Sequence, residues 1–162
     1  MTVSTIAFAE RMRRHWEDTL GNVSSPSLEA IWQQMADAFG QAIDAHGTKE
    51  AGHWRILQPS TGTGKSQGLA VYCAMLAEIA SRQVGDRNAR PVGVLIVVRL
   101  IEQAEEMVRT INGLAGFEAA LAKHSGVRLS PEAIEAAQIL VVTHRAYENA
   151  LLRTIDHGFV HS

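Results

Sequence analysis

The short segment Gly62-Thr63-Gly64-Lys65-Ser66 constrains this chain more than any other part of its sequence. It follows a strand-like stretch at residues 53–58 and opens a run with helical periodicity that begins near residue 65. Glycine takes up positive φ angles without a steric penalty, and successive amide N–H groups in such a turn form a concave site for an anion. A strand, a glycine-rich turn and a helix in this order therefore predict a phosphate-binding loop.

The predicted phosphate site covers consecutive residues, namely Ser60, Thr61, Gly62, Thr63, Gly64, Lys65 and Ser66. The common phosphate-loop pattern begins with a glycine, where this chain has Pro59. Lys65 is expected to contact the β- and γ-phosphates of ATP, and the Ser66 hydroxyl is a suitable oxygen ligand for Mg²⁺. The predicted cofactors are therefore ATP and Mg²⁺. An ordinary glycine-rich turn is the alternative, whereas a dinucleotide site is disfavoured because no G-x-G-x-x-G pattern occurs.

The composition is that of an ordinary globular domain. Of 162 residues, 46% are apolar and 20% are charged, and 15 basic against 17 acidic side chains give a net charge of −2. This balance excludes a polycationic tail, so any contact with nucleic acid has to be local. The single cysteine, Cys73, excludes a disulfide framework, and no apolar stretch approaches the roughly 20 residues of a membrane span. We therefore expect a cytoplasmic protein with no membrane partner.

A helical hairpin is predicted ahead of the phosphate loop. Apolar residues recur at helical spacing over residues 5–20 and again after Ser25-Pro26, a pair that favours the start of a helix. Trp16 and Trp32 lie in register with these two stripes, so we assign them to the hairpin core rather than to ligand stacking. The predicted division is a hairpin at residues 1–48 and an α/β domain at residues 49–162.

The α/β prediction rests on strand and helix patterns that alternate after residue 50. The run Val94–Val98 is rich in β-branched residues without polar alternation, which is typical of a strand buried on both faces of a parallel sheet. The predicted strands are 53–58, 92–98 and 139–143, and the predicted helices are 65–82, 100–113, a softer segment at 115–123, a short helix from Ser130 and 144–153.

None of the predicted strands ends in the carboxylate that ATP hydrolysis requires beside a phosphate loop. Arg99 follows Val98, and His144 follows the strand that ends at Thr143. Asp156 comes later, after an apolar run that polar residues interrupt. The sequence therefore predicts nucleotide binding without meaningful turnover, and it assigns no catalytic residue.

Three segments resemble motifs of the superfamily 2 (DEAD/DEAH-type) helicases. Residues 57–66 resemble motif I, residues 95–103 look like motif Ia, and residues 139–144 are similar to the strand and turn that precede the DEAD-box region. The resemblance implies a P-loop NTPase fold of the RecA-like type, with a three-layer parallel sheet that binds ATP and Mg²⁺. It also implies that Arg99 and Thr143 contact the backbone of DNA or RNA. For Thr143, the alternative is a strand end that caps the following helix.

The chain departs from this family in ways that bear on its activity. It has no DEAD/DEAH tetrad, no Ser-Ala-Thr motif and no second RecA-like domain. We therefore expect a truncated motor domain, the ATP-binding portion of a helicase-like nucleic-acid-dependent ATPase, which a downstream chain or domain completes. Two alternatives stay open. One is a small phosphotransferase of the phosphate-loop kinase type, which needs an acid where Arg99 stands, and the other is a binding module that holds no nucleotide.

Overall fold

Six α-helices, one π-helical turn and three parallel β-strands form the regular structure of the residues that the computed structural model describes. These are residues 3–46, 48–49, 55–85 and 92–158. The chain divides between Val92 and Gly93 into two compact units, which we call the loop unit and the sheet unit. The predicted α/β class is confirmed in its coarse form, as a small parallel sheet combined with helices.

The loop unit begins with the predicted helical hairpin. Helix α1 (Thr5–Arg14) continues into the π-helical turn (His15–Thr19), and α2 spans Pro26–Asp44. The Ser25 hydroxyl accepts a hydrogen bond from the backbone N–H of Leu28 at 3.3 Å, which caps the start of α2. The prediction of two helices is confirmed, although the first is α-helical only as far as its tenth residue.

Helix α3 (Lys65–Ser81) packs against this hairpin and is buried around most of its circumference. The rings of Tyr72 and Phe8 meet edge to face, with their centroids 5.7 Å apart. At Gly68, an added Cβ atom would lie 2.8 Å from Cε of Met35, so any side chain at this position displaces that methionine. The predicted helix at 65–82 is confirmed, and the absence of a side chain at one position brings α2 close to it.

The sheet unit contains all three strands, in the order β1-β3-β2. Its elements are β1 (Val94–Val98), α4 (Ile101–Ala115), β2 (Ala120–Lys123), α5 (Pro131–Ala136), β3 (Ile139–Thr143) and α6 (His144–Gly158). Parallel neighbours require crossover connections, which α4 and α5 supply. The predicted helices at 100–113 and 144–153, the short helix after Ser130 and the strand at 139–143 are confirmed.

The prediction that the run Val94–Val98 is buried on both faces is wrong. In β1, Ile96 is buried, but Leu95 keeps 51% and Val97 keeps 36% of its surface exposed. Among the described residues, β1 has one neighbouring strand and lies at the edge of the sheet, whereas the central strand β3 is buried at four of its five residues. An apolar, β-branched run favours a strand, but it does not state the position of that strand in a sheet.

The softer helical segment at 115–123 is also wrong, because residues 120–123 form β2. Helix α4 ends at Gly116, whose φ of +78° is the left-handed conformation that terminates helices. The Asn112 side chain then fixes the start of the strand. Its Oδ1 accepts hydrogen bonds from the N–H groups of Ala119 and Ala120 at 2.8 Å each, and its Nδ2 donates to the carbonyl of Ala120 at 3.1 Å.

The predicted strand before the phosphate loop is not formed by the residues that can be described. Residues 55–58 have no strand hydrogen bonds, and residues 53–54 lie outside the described part of the chain. The side chain of Ile56 is 79% exposed and that of Leu57 is 41% exposed. A strand exists only where a neighbouring backbone accepts its hydrogen bonds, and the sheet of the described residues contains β1, β3 and β2 alone.

Candidate phosphate-binding loop and sheet-edge cavity

The backbone of the loop has the conformation that its glycines allow. Gly62 has a φ of +85° and Gly64 a φ of +77°, and α3 begins at the next residue, Lys65. Two left-handed residues in close succession bend the chain so that several amide N–H groups can face one point. The N-terminus of α3 adds its own unpaired N–H groups and the positive end of the helix dipole.

Two side chains of the loop donate hydrogen bonds to carbonyl groups of the same loop. The Thr63 hydroxyl donates a hydrogen bond to the carbonyl of Ser60 at 2.8 Å, and this threonine is 7% exposed. The ammonium group of Lys65 donates to the carbonyl of Pro59 at 2.8 Å, and the lysine side chain is otherwise exposed. An ammonium group has three donors, so Lys65 keeps capacity for an anion.

The remaining loop residues present a polar surface. Ser60, Thr61 and Gly62 are exposed, as is Ser66 in the first turn of α3. All seven sequence-predicted residues are therefore found in one turn, and Thr63 is the one that points into the protein. The sequence pattern did not distinguish the inward residue from the exposed ones.

The hairpin contacts this loop from its buried side. The indole Nε1–H of Trp32 donates a buried hydrogen bond to the carbonyl of Thr63 at 2.9 Å. An added Cβ at Gly64 would lie 2.9 Å from both Cε of Met12 and Cζ3 of Trp16. The two tryptophan rings meet edge to face, with centroids 5.8 Å apart. Full burial confirms the assignment of Trp32 to the hairpin core, whereas Trp16 keeps part of its surface exposed. The contact of the two tryptophans with the loop was not predicted, because the periodicity of a helix does not indicate which segment packs against it.

One further contact joins the hairpin to the start of α3. His15 is 7% exposed, and its Nε2 lies 2.8 Å from Oε1 of Gln67, the residue after Ser66. Since the amide oxygen accepts, the ring nitrogen donates in this arrangement. The first turn of α3 is thus held by the π-helical turn as well as by its own helix.

These residues fit a bound phosphate chain with a divalent cation. The left-handed glycines, the helix N-terminus and Lys65 supply N–H donors and positive charge, and Ser66 supplies a hard oxygen ligand. Within the described residues, no group of three or more His, Cys, Asp or Glu side chains is placed to hold a metal ion. A Mg²⁺ ion at the loop would therefore depend on Ser66 and on the phosphate oxygens themselves.

A second candidate site lies in the sheet unit, at the carboxyl ends of its three strands. It is a cavity of about 730 Å³ that contains both residues predicted to contact nucleic acid, Arg99 after β1 and Thr143 at the end of β3. Lys123 and His124 enter it from β2, and Arg145 enters it from the first turn of α6. Carboxyl ends of parallel strands meet at one edge, which brings together residues distant in sequence.

The charge of this cavity is mainly positive. Three cationic side chains line it, those of Arg99, Lys123 and Arg145, against one carboxylate, that of Glu102. Helices α4 and α6, each of 15 residues, begin at the same edge and direct the positive ends of their dipoles toward it. The arrangement can attract an extended or clustered anion. Lys123 was missed in the sequence because the 115–123 segment was not predicted as a strand.

Two polar side chains at this edge are partly used by the fold. The Thr143 hydroxyl accepts a hydrogen bond from the N–H of Ala146 at 3.4 Å, so it helps to cap α6 while its own proton can still be donated. His124 is 7% exposed, and its Nδ1 accepts from the N–H of Gly126 at 3.2 Å. Its Nε2 lies 3.4 Å from Oε1 of Glu105. The two hydrogen bonds orient Thr143 and His124, which line the cavity.

A membrane-spanning helix and similarity to known proteins were both sought for this chain. Among the described residues, no helix is both long enough and apolar enough to cross a membrane. The chain matches no protein-family model, no curated protein sequence and no solved structure.

Proposed function

We propose that this chain binds ATP with Mg²⁺ through its 59–66 loop, as the ATP-binding portion of a helicase-like, nucleic-acid-dependent ATPase. The observation that carries the proposal is the succession of two left-handed glycines, at 62 and 64, directly before the N-terminus of α3 and Lys65. Such a turn can direct several backbone N–H donors toward one phosphate group, and the flexible cationic side chain of Lys65 can add its charge. The resemblance of residues 57–66 to helicase motif I supports ATP in particular.

Each polar residue has a distinct role in this proposal. The Lys65 side chain is exposed, and its ammonium group can exchange its hydrogen bond to the carbonyl of Pro59 for bonds to the β- and γ-phosphates. Ser66 is exposed in the first helical turn, where its hydroxyl can coordinate Mg²⁺. Bound Mg²⁺ would neutralise phosphate charge, while the loop itself binds and orients. The RecA-like, three-layer form of the fold is part of the same proposal.

Nucleic acid is the proposed partner of the sheet-edge cavity. A polyanionic backbone suits three cations and two helix N-termini, and Arg99 and Thr143 lie there together. Lys123 and Arg145 extend the predicted contact set, since both line the same cavity. Phosphate contacts of this kind position a strand without reading its bases, so DNA and RNA are both accommodated.

Binding without hydrolysis is the proposed behaviour of this chain. The residues that follow β1, β2 and β3 are Arg99, His124 and His144, and none is a carboxylate. A phosphotransferase would also need an acid at the end of β1 to activate its acceptor hydroxyl, and Arg99 stands at that position. The phosphotransferase alternative is therefore disfavoured.

Isothermal titration calorimetry with Mg²⁺·ATP tests the proposal. Replacing Lys65 with alanine should weaken ATP binding about tenfold or more, since charge-assisted hydrogen bonds are lost. Lys49→Ala is the matched control, because it removes the same charge at an exposed position outside the loop. Equal ATP affinities for the wild-type protein and Lys65→Ala would favour a module whose loop holds no nucleotide.

Release of inorganic phosphate from ATP tests the second half of the proposal. The wild-type protein should release phosphate no faster than Lys65→Ala, with or without oligonucleotide. A steady rate that Lys65→Ala abolishes would show that the chain contains a catalytic acid, and the proposal of binding without turnover would be wrong.

A further inference from the structure

We infer that Trp32 is a positioning residue for the phosphate loop: its indole N–H holds the Thr63–Gly64 peptide in the orientation that anion binding requires. The inference rests on the proposed function of the loop and assigns part of that function to the N-terminal hairpin. Trp32 is fully buried on α2, 31 residues away in sequence, and it touches no ligand itself.

The bond from Trp32 fixes the orientation of one peptide group, which joins Thr63 to Gly64. All peptide bonds of the described chain are trans, and in a trans peptide the C=O and the N–H point in opposite directions. The carbonyl of Thr63 accepts the Trp32 indole N–H at 2.9 Å, so it is turned into the hairpin. The N–H of Gly64, which belongs to the same peptide, therefore faces away from the indole. A rotation of this peptide would break the buried bond and direct the carbonyl oxygen outward, where it would repel an anion.

The neighbouring carbonyl is fixed in the same manner. The Thr63 hydroxyl donates to the carbonyl of Ser60 at 2.8 Å, which leaves the N–H of Thr61 on the opposite side of that peptide. Thr63 itself is buried, since its main chain is bonded to Trp32 and its side chain is bonded within the loop. The buried indole bond and the part-buried bond of the Thr63 hydroxyl thus meet at Thr63 and together orient two loop peptides.

The two other side-chain hydrogen bonds of the loop end on the carbonyls of Ser60 and Pro59 and not on the Thr63–Gly64 peptide. Glycine at 62 and 64 gives the backbone freedom that a side chain would remove, and nothing lies within 4 Å of an added Cβ at Gly62. Gly64 is packed by Met12 and Trp16, which are apolar and set its position without setting the rotation of its peptide. A directional bond is needed for that rotation, and Trp32 supplies it.

Loss of the indole bond should lower the affinity of the loop for an anion as well as the stability of the fold. In wild-type protein the loop is ordered before the anion arrives, so binding does not have to fix the Thr63–Gly64 peptide. Without the indole N–H, the unbound loop samples both orientations and the anion must select one of them. A lower affinity for phosphate groups follows even where the fold is intact.

The experiment measures binding of inorganic triphosphate and of Mg²⁺·ATP to full-length wild-type protein and two variants. Trp32→Phe retains an aromatic ring in the core and removes the N–H donor. Glu78→Gln is the matched control, because it weakens the ion pair in which Arg11 of α1 meets Glu78 of α3 at 2.6 Å. Glu78 lies 13 residues beyond Lys65, about 20 Å along the helix, so its loss loosens the hairpin without touching the loop.

We expect Trp32→Phe to bind triphosphate about 3- to 10-fold more weakly than wild-type protein, as the loss of one buried hydrogen bond implies. Glu78→Gln should bind within twofold of wild-type protein, although we expect both variants to be less stable in urea unfolding. Equal weakening by the two variants would mean that Trp32 acts through general stability, and wild-type affinity in Trp32→Phe would also overturn the inference while leaving ATP binding intact. Failure of the wild-type protein to bind either probe would reject the proposed function itself.

A measurement on the wild-type protein covers the case in which Trp32→Phe does not fold. In ¹⁵N-edited NMR spectra, the Trp32 indole N–H and the Gly64 amide signals should both shift on addition of triphosphate, because an anion on the Gly64 N–H polarises the peptide whose carbonyl accepts the indole N–H. A shift of Gly64 with an unmoved Trp32 signal would contradict the inference, since it would show that the anion is bound without any effect on the indole bond.

Discussion

The two candidate sites hold anion-binding groups in opposite ways. In the loop unit, the groups are backbone amides, and buried side chains from a distant hairpin fix their direction, above all Trp32 through Thr63. In the sheet unit, the groups are exposed side chains such as Arg99 and Arg145, and the strand register together with the first turn of α6 brings them together. A backbone site cannot be changed without changing the fold around it, whereas a side-chain site can lose one member and keep its frame. Substitutions in the two units should therefore differ in kind as well as in size.

The largest effect is expected at Gly64, where conformation and space both exclude a side chain. Alanine there would adopt a left-handed φ of +77° and press on the ring of Trp16, at 2.9 Å, as well as on Met12. We expect Gly64→Ala to lower the free energy of unfolding by about 2 to 5 kcal/mol, the sum of backbone strain and overpacking. Urea unfolding followed by circular dichroism measures it.

Gly62→Ala is the control for this prediction. Gly62 has a φ of +85°, but no atom lies within 4 Å of an added Cβ, so only the backbone strain of about 1 to 2 kcal/mol applies. Equal destabilisation by the two alanines would mean that the hairpin does not press on the loop, and the contrast between the two sites would lose its basis.

The next effect concerns the buried helix of the loop unit. Cys73 is 1% exposed on α3, and burial raises the pKa of its thiol to about 12. The unfolded chain ionises this thiol at a lower pH than the folded chain, so the folded state binds more protons and its stability falls as pH rises above about 8.5. Between pH 7 and pH 10, this one group should remove about 1.5 to 2 kcal/mol from the free energy of unfolding.

Urea unfolding at a series of pH values checks this sign. Cys73→Ala should be less stable at pH 7, because a buried side chain is truncated, but its stability should decline less between pH 7 and pH 10. A parallel decline in both proteins would show that the thiol does not titrate differently in the two states. In native protein at pH 8, a thiol reagent should leave Cys73 unmodified until the chain unfolds.

The smallest effect is expected in the sheet-edge cavity. Arg99→Ala should weaken binding of a single-stranded oligonucleotide by about two- to fivefold and reduce the slope of log affinity against log salt by about one. Stability should hardly change, because Arg99 is exposed. Fluorescence anisotropy at several salt concentrations measures both quantities.

Glu102→Gln gives the opposite charge change at the same cavity. It removes the one carboxylate among the lining residues, so it should strengthen oligonucleotide binding. If both variants behave like wild-type protein, the cavity does not bind the polyanion. If Arg99→Ala instead unfolds the chain, the distinction between a backbone site and a side-chain site is wrong.

Local pattern was sufficient to predict much of the fold. The hairpin, α3, α4 and β3 all follow from apolar periodicity together with short signals such as Ser25-Pro26. The loop residues were identified from glycine and lysine spacing, because positive φ at Gly62 and Gly64 is a property of the residues themselves. Features of this kind depend on neighbours within a few positions in the chain.

The features that were predicted wrongly or not at all have one cause in common, because each depends on a residue far away in the sequence. Strand β2 was not predicted, because its start is fixed by three hydrogen bonds to Asn112 and its ladder by pairing with β3. The exposed face of β1 was not predicted either, because the run Val94–Val98 contains no signal of its place at the sheet edge. The contact of Trp32 was not predicted for the same reason. Helical periodicity indicates that Trp32 is buried, but it does not indicate that the indole N–H bonds to the carbonyl of Thr63.

The amino-acid sequence alone is enough to predict most of the helices, the glycine-rich turn and the cations, because these follow from the conformational preferences and charges of single residues. The fold is needed to know which way the loop peptides face, that Arg99, Lys123 and Arg145 line one cavity, and that β3 rather than β1 is the buried strand. Directional hydrogen bonds and sheet pairing join groups far apart in the chain, and their geometry is set only when both partners are in place.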